Sequence, residues 1–110
     1  MKKYLVLWIC LWHVIAVSQA EPGTQKSLDI NIVGHVLDKT TREHLPYISI
    51  SLKGTTVGTI TDPSGHYFLK NLPEGEFILS ASSVGYKTES RKVSLKKGTT
   101  IEIDFEIEPS

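Results

Sequence analysis

The chain has 110 residues, with 12 lysines and arginines balanced by 12 aspartates and glutamates, so its formal net charge is zero. That length holds one domain, and the balanced charge excludes the basic surface that a nucleic-acid partner requires. The single cysteine, Cys10, excludes an intrachain disulfide, so the fold must hold by packing and strand pairing alone.

Residues 1–20 follow the three-part pattern of a secretory signal peptide: Lys2 and Lys3, an apolar run over 4–17, then Ser18-Gln19-Ala20 at the cleavage position. The apolar run is shorter than the roughly 20 residues of a membrane-spanning helix. Leu7-Trp8-Ile9 also lacks the small side chains expected before a lipidated cysteine. We expect a signal-peptide helix that is removed on export, taking Cys10 with it. Residues 21–27, EPGTQKS, carry Pro22 and Gly23 among polar residues and read as a flexible leader.

From Leu28 the pattern has period two, the mark of half-buried strands. Ile30, Ile32 and Val36 share one side of the first strand, and Asn31, Val33 and His35 the other. Gly34 in its middle marks a bulge or a close backbone neighbour. After the charged connection 38–46, Ile48, Ile50 and Leu52 alternate with Ser49 and Ser51. Residues 54–69, GTTVGTITDPSGHYFL, then read as a hairpin. Its turn is Asp62-Pro63-Ser64-Gly65: the Asp62 side chain accepts an N–H two residues on, Pro63 presets φ, and Gly65 tolerates φ > 0.

A turn around Pro73 and Gly75 leads to a strand over 77–84. There Phe77, Leu79 and Ala81 share one parity and Val84 and Tyr86 the other, which implies a bulge or bend near Ser82-Ser83. A weaker strand over 89–95 has Val93 and Leu95 in phase. In the last, Ile101, Ile103, Phe105 and Ile107 alternate with Glu102, Asp104 and Glu106. No helical periodicity follows residue 20. The pattern predicts an all-β fold over 28–108, a seven-stranded antiparallel Greek-key sandwich of two sheets.

The ordered combination Gly34-x-Val36 with Asp38, Leu45-Pro46, Lys53-Gly54-Thr55, Gly58-Thr59-x-Thr61-Asp62-x-x-Gly65-x-Tyr67-x-Leu69, Leu72-Pro73-x-Gly75 and Val84-Gly85-Tyr86 resembles the carboxypeptidase-regulatory-like domain. The resemblance is to the form found at the N-terminus of SusC-like TonB-dependent outer-membrane receptors. It implies a prealbumin-like sandwich on the periplasmic side of a bacterial outer membrane. It also implies a non-catalytic module of a receptor importing oligosaccharide or peptide, with the receptor's plug and barrel or the periplasmic energy-coupling machinery as partners. In those receptors a plug and barrel follow the module; this sequence stops at Ser110, and we expect it to be the first piece of a longer receptor. The alternatives are a free-standing secreted adhesion or glycan-binding sandwich and an accessory domain of a longer peptidase.

The residues argue for no catalytic, cofactor or metal site. His35, His44 and His66 lack metal-ligand spacing and read as surface or sheet-edge histidines. No serine lies in a Gly-x-Ser-x-Gly elbow, and the Tyr-Arg-Gly-Ser ending of the transthyretin-like hydrolases is absent. The carboxylate row Glu102, Asp104 and Glu106 reads as a solvated face. Gly54, Asp62, Pro63, Gly65, Pro73, Gly75, Gly85 and Tyr86 are expected to shape turns and corners, with the Tyr86 hydroxyl bonded to backbone as in a tyrosine corner.

Overall fold

The computed structural model describes residues 28–110; the expected signal peptide and leader lie outside the described residues. The strands are β1 (Asn31–Asp38), β2 (Ser49–Lys53), β3 (Gly58–Ile60), β4 (His66–Leu69), β5 (Gly75–Ser82), β6 (Glu89–Leu95), β7 (Thr100–Glu102) and β8 (Phe105–Ile107). There is no helix among the described residues. One sheet runs β4-β1-β7, with β8 continuing alongside β1, and the other runs β3-β2-β5-β6.

The two sheets close on the side chains that the period-two pattern places inward. Ile30, Ile32, Val36, Leu69, Phe105 and Ile107 come from the first sheet and its flanks, and Ile48, Ile50, Leu52, Leu79, Ala81, Val93 and Leu95 from the second. Ile32, Val36, Ile50, Leu52, Leu79, Phe105 and Ile107 are fully buried. Burial of each large apolar side chain stabilises the sandwich by about 1.5–3 kcal/mol.

The all-β, two-sheet sandwich is as the sequence predicts, but three local expectations are corrected. First, the two arms of residues 54–69 do not pair with each other as strands: β3 lies antiparallel on β2, and β4 antiparallel on β1 in the other sheet. The turn at 62–65 is therefore a corner between sheets. Thr61, fully buried, is what sends the chain across. Its hydroxyl donates to the Leu45 carbonyl at 2.8 Å and accepts the Ile48 N–H at 2.9 Å. Its backbone bonds Tyr47 and Ile48 on the same stretch.

Second, the sandwich is not wholly antiparallel. The last strand runs parallel to β1 and is interrupted, so it appears as β7 and β8. The register is unchanged across the break, with Val33 opposite Glu102 and Val36 opposite Phe105. The interruption is thus a local turning of the backbone with no inserted residue. Of the two readings of Gly34, the close neighbour holds. A Cβ there would lie 1.9 Å from the Ile103 carbonyl oxygen and 2.9 Å from Tyr67 Cε1. The Ile103 carbonyl leaves the ladder to accept the Tyr67 O–H at 2.5 Å. The Asp104 carboxylate takes its place as acceptor for the His35 N–H, at 3.1 Å.

Third, β5 ends at Ser82 and Val84 is 99% exposed. The parity switch at Ser82-Ser83 is where the chain leaves the sheet, bending towards Tyr86.

Candidate functional site

Alternation along β1 puts Val33 and His35 on the outer side of the first sheet, opposite Phe68 and His66 of β4. On the other flank Glu102 stands opposite Val33. The connection after β1 returns as an isolated bridge between His44 and Leu37, which brings a third imidazole alongside. The ring centres are 5.1 Å apart for His35–His44, 5.7 Å for His35–His66 and 5.4 Å for His44–His66. Sequence spacing separated these three residues; topology gathers them on one face.

Each ring is held through Nδ1. His35 Nδ1 lies 3.2 Å from Asp104 Oδ1, and His44 Nδ1 lies 3.1 Å from the Ser64 carbonyl. Both oxygens only accept, so both nitrogens carry the proton. Ser64 gives its own hydroxyl proton to Asp62 Oδ1 at 2.7 Å, so its oxygen accepts from His66 Nδ1 at 3.1 Å. A ring held in this way leaves Nε2 as the nitrogen without a partner. His35, Glu102 and Asp104 also present ligand atoms within 4.8 Å of one another.

The turn residues have identifiable tasks. Asp62 Oδ1 accepts the Ser64 hydroxyl, the Ser64 N–H and the His66 N–H. These bonds, the Ser64 hydroxyl first, hold its carboxyl below the usual aspartate range. Gly65 closes the turn at φ 81°, with its N–H on the Asp62 carbonyl. Gly54, Gly75 and Gly85 also lie at positive φ, and Pro63 and Pro73 are exposed beside their turns.

Tyr86 is half-buried, and here the expected backbone acceptor is corrected. Its hydroxyl donates to Asp38 Oδ2 at 2.8 Å, while Asp38 Oδ1 accepts the N–H groups of Thr40 and Thr41 at 2.7 and 3.0 Å. Asp38 lies on the buried parity of β1, where a carboxylate needs donors to remain charged. The N–H of Thr41 first, then the Tyr86 hydroxyl, hold its carboxyl below the ordinary value of 3.8. Tyr86 is pushed up correspondingly by donating to that carboxylate. Burial pushes the Tyr67 hydroxyl up as well.

A depressed carboxyl pKa has a signed consequence for stability. The contribution of Asp38 is complete above the unfolded-state value near 3.8 and is lost as pH falls through the lower folded-state value. Urea midpoints measured from neutral pH downward should hold until roughly pH 4 and then fall. Asp38→Asn should start lower at neutral pH and lose part of that acid slope, Asp62 supplying the remainder in the same window. An acid slope identical to wild type would contradict the assignment.

The carboxylate row on the last strand is mostly engaged. Glu106 pairs with Arg42 and Asp104 with His35. A groove of about 660 Å³ beside β5 and β6 is lined by Lys53, Glu76, Phe77, Ile78, Lys92 and Ser94 among others. Of the aromatics beyond the leader, Tyr67 and Phe105 are buried, Phe77 and Tyr86 half-buried, and Tyr47 and Phe68 exposed.

The model of the CarboxypepD_reg-like domain matches residues 32–110. No curated protein matches the chain in sequence. Among solved structures, the Bacillus anthracis TIE protein is 21% identical with a TM-score of 0.59, over 74% of this chain and 16% of that one. Klebsiella pneumoniae 5-hydroxyisourate hydrolase is 21% identical with a TM-score of 0.55, over 73% of this chain and 90% of that one. A type II cohesin–X-dockerin complex from Acetivibrio cellulolyticus is 17% identical with a TM-score of 0.50, over 68% of this chain and 51% of that one. The chain thus spans 51% and 16% of the cohesin–dockerin and TIE chains, and likeness at these identities speaks to the sandwich alone. The family match runs from β1 through the last strand and takes in Gly34, Asp38, Thr61, Tyr67 and Tyr86, and on that ground the chain belongs to the CarboxypepD_reg-like domain family.

Proposed function

We propose that this sandwich is a non-catalytic contact module of the bacterial cell envelope, the N-terminal extension of a TonB-dependent receptor for nutrient import. The observation that carries the reading is where the residues of the family pattern stand. Gly34 and Tyr67 seat the last strand, Thr61 makes the corner, and Asp38 with Tyr86 fixes the end of β1 to the chain after β5. Residues engaged in this way hold a scaffold whose loops and outer faces remain for contact. The signal-like residues 1–20 support export, and the resemblance to the SusC-like form supports placement on the periplasmic side of the outer membrane. Its partners are then the receptor's own plug and barrel, or the periplasmic energy-coupling machinery.

Deletion of residues 32–110 from the full-length gene product tests the proposal. The expected result is reduced import or reduced receptor abundance in the outer membrane; unchanged import together with unchanged abundance would defeat it. The reading frame beyond Ser110 separates the rivals. A plug and barrel supports the receptor module, an immediate stop a free-standing adhesion domain, and a metalloprotease an accessory peptidase domain.

A further inference from the structure

We propose that His35, His44 and His66 form a binding site for a divalent transition-metal ion of the zinc, copper or nickel class on the outer face of the first sheet. Three independent features of the cluster point there. The first is spacing. Nitrogens about 2.0–2.1 Å from a tetrahedral ion put the centres of their imidazole rings about 5 Å apart, and the three separations here are 5.1, 5.4 and 5.7 Å.

The second feature is the tautomer. As the rings stand, oxygen acceptors hold the proton on Nδ1 of all three; for half-buried His35 that arrangement presents the Nε2 lone pair while Asp104 keeps the ring oriented. Metal-binding histidines are oriented in this manner, the remote ring N–H donated to a carboxylate or a backbone carbonyl. Asp104 is the most committed of these orienting groups, since the same oxygen also accepts the His35 backbone N–H.

The third is charge and access. His44 and His66 are exposed and His35 is half-buried, so an ion reaches them from solvent. The ligand nitrogens of the three rings are not gathered as they stand, since the group whose ligand atoms lie within 4.8 Å of one another is His35 with Glu102 and Asp104; His44 and His66, whose rings rotate fast as surface side chains do, exchange their Nδ1 bonds to Ser64 for the ion. Glu102 and Asp104 lie beside His35 and add negative charge next to the cation. An imidazole set selects zinc, copper or nickel, whereas calcium and magnesium require oxygen ligands.

Calorimetric titration of the full chain with zinc chloride, nickel chloride, magnesium chloride and calcium chloride tests this, with thermal unfolding as a second readout. Zinc and nickel are expected to bind at one ion per chain and to raise Tm, because the folded state alone presents the site; magnesium and calcium are expected to do neither. Asp104→Asn should weaken zinc binding about tenfold, as loss of an orienting partner does, and His44→Ala and His66→Ala should each weaken it further. Both histidines are exposed, and circular dichroism is the check that these variants fold. Glu102→Gln should have the smallest effect. Absence of saturable zinc binding, wild-type affinity in folded His44→Ala and His66→Ala, or a site lost only on changing Glu102 and Asp104 would each overturn the proposal.

Discussion

Gly34→Ala is expected to destabilise the domain by about 3 kcal/mol, the upper end of what overpacking costs in a well-packed interior. A methyl group there would sit 1.9 Å from the Ile103 oxygen and 2.8 Å from its carbonyl carbon. Both are backbone atoms, so no side-chain rotation relieves the clash. The chain at Ile103 must move away from β1, and in moving it loses the Tyr67 hydroxyl bond and the Ile103 N–H bond to Val33. Small domains of this kind are stable by about 5–15 kcal/mol, so the loss is a large share of the total. Urea unfolding followed by circular dichroism measures it. A midpoint equal to wild type would mean that the strands do not approach as described.

Thr61→Val comes next. The shapes are nearly equal, but the hydroxyl satisfies two groups at once, the Leu45 carbonyl and the Ile48 N–H. Valine would leave both unpaired beside a fully buried side chain. A buried polar group stripped of its partner costs about 1–3 kcal/mol, so the expected loss is about 2–4 kcal/mol for the pair. Thr61→Ser keeps the hydroxyl and is expected to stay within about 1 kcal/mol of wild type, at the level of a lost buried methyl group. If valine and serine variants unfold together, the hydroxyl is not what holds the corner.

These two positions also show what the sequence can and cannot reveal. Alternation was readable wherever one strand face is buried, as with Ile30, Ile32 and Val36 or Phe105 and Ile107, because one parity must be apolar. Pairing partners were not. The turn chemistry at 62–65 is local and correct for a tight turn, yet Thr61 is bonded to residues 45–48, and nothing near Asp62 in sequence signals that. A period-two pattern carries no direction either, so the parallel course of the last strand beside β1 was hidden.

The candidate site was hidden for the same reason. His35 and His66 are opposite one another only because β1 pairs with β4, and His44 joins them through its bridge to Leu37. The Asp38–Tyr86 bond had a visible sign in hindsight: Asp38 falls on the parity of Ile32 and Val36, where a carboxylate must find donors. The donor, Tyr86, lies 48 residues away.

The last strand is seated against β1 by the family-pattern residues Gly34 and Tyr67. Amide hydrogen exchange reads this seating most directly, at the N–H groups of His35 and Ile103. The first is bonded to the Asp104 carboxylate and the second to the Val33 carbonyl. Both should exchange as slowly as the amides of Ile32 and Val36, through global unfolding, and Tyr67→Phe should accelerate the two together. Exchange at the rate of the exposed segment around Val84 would show that the last strand is not locked to β1, and would contradict the account.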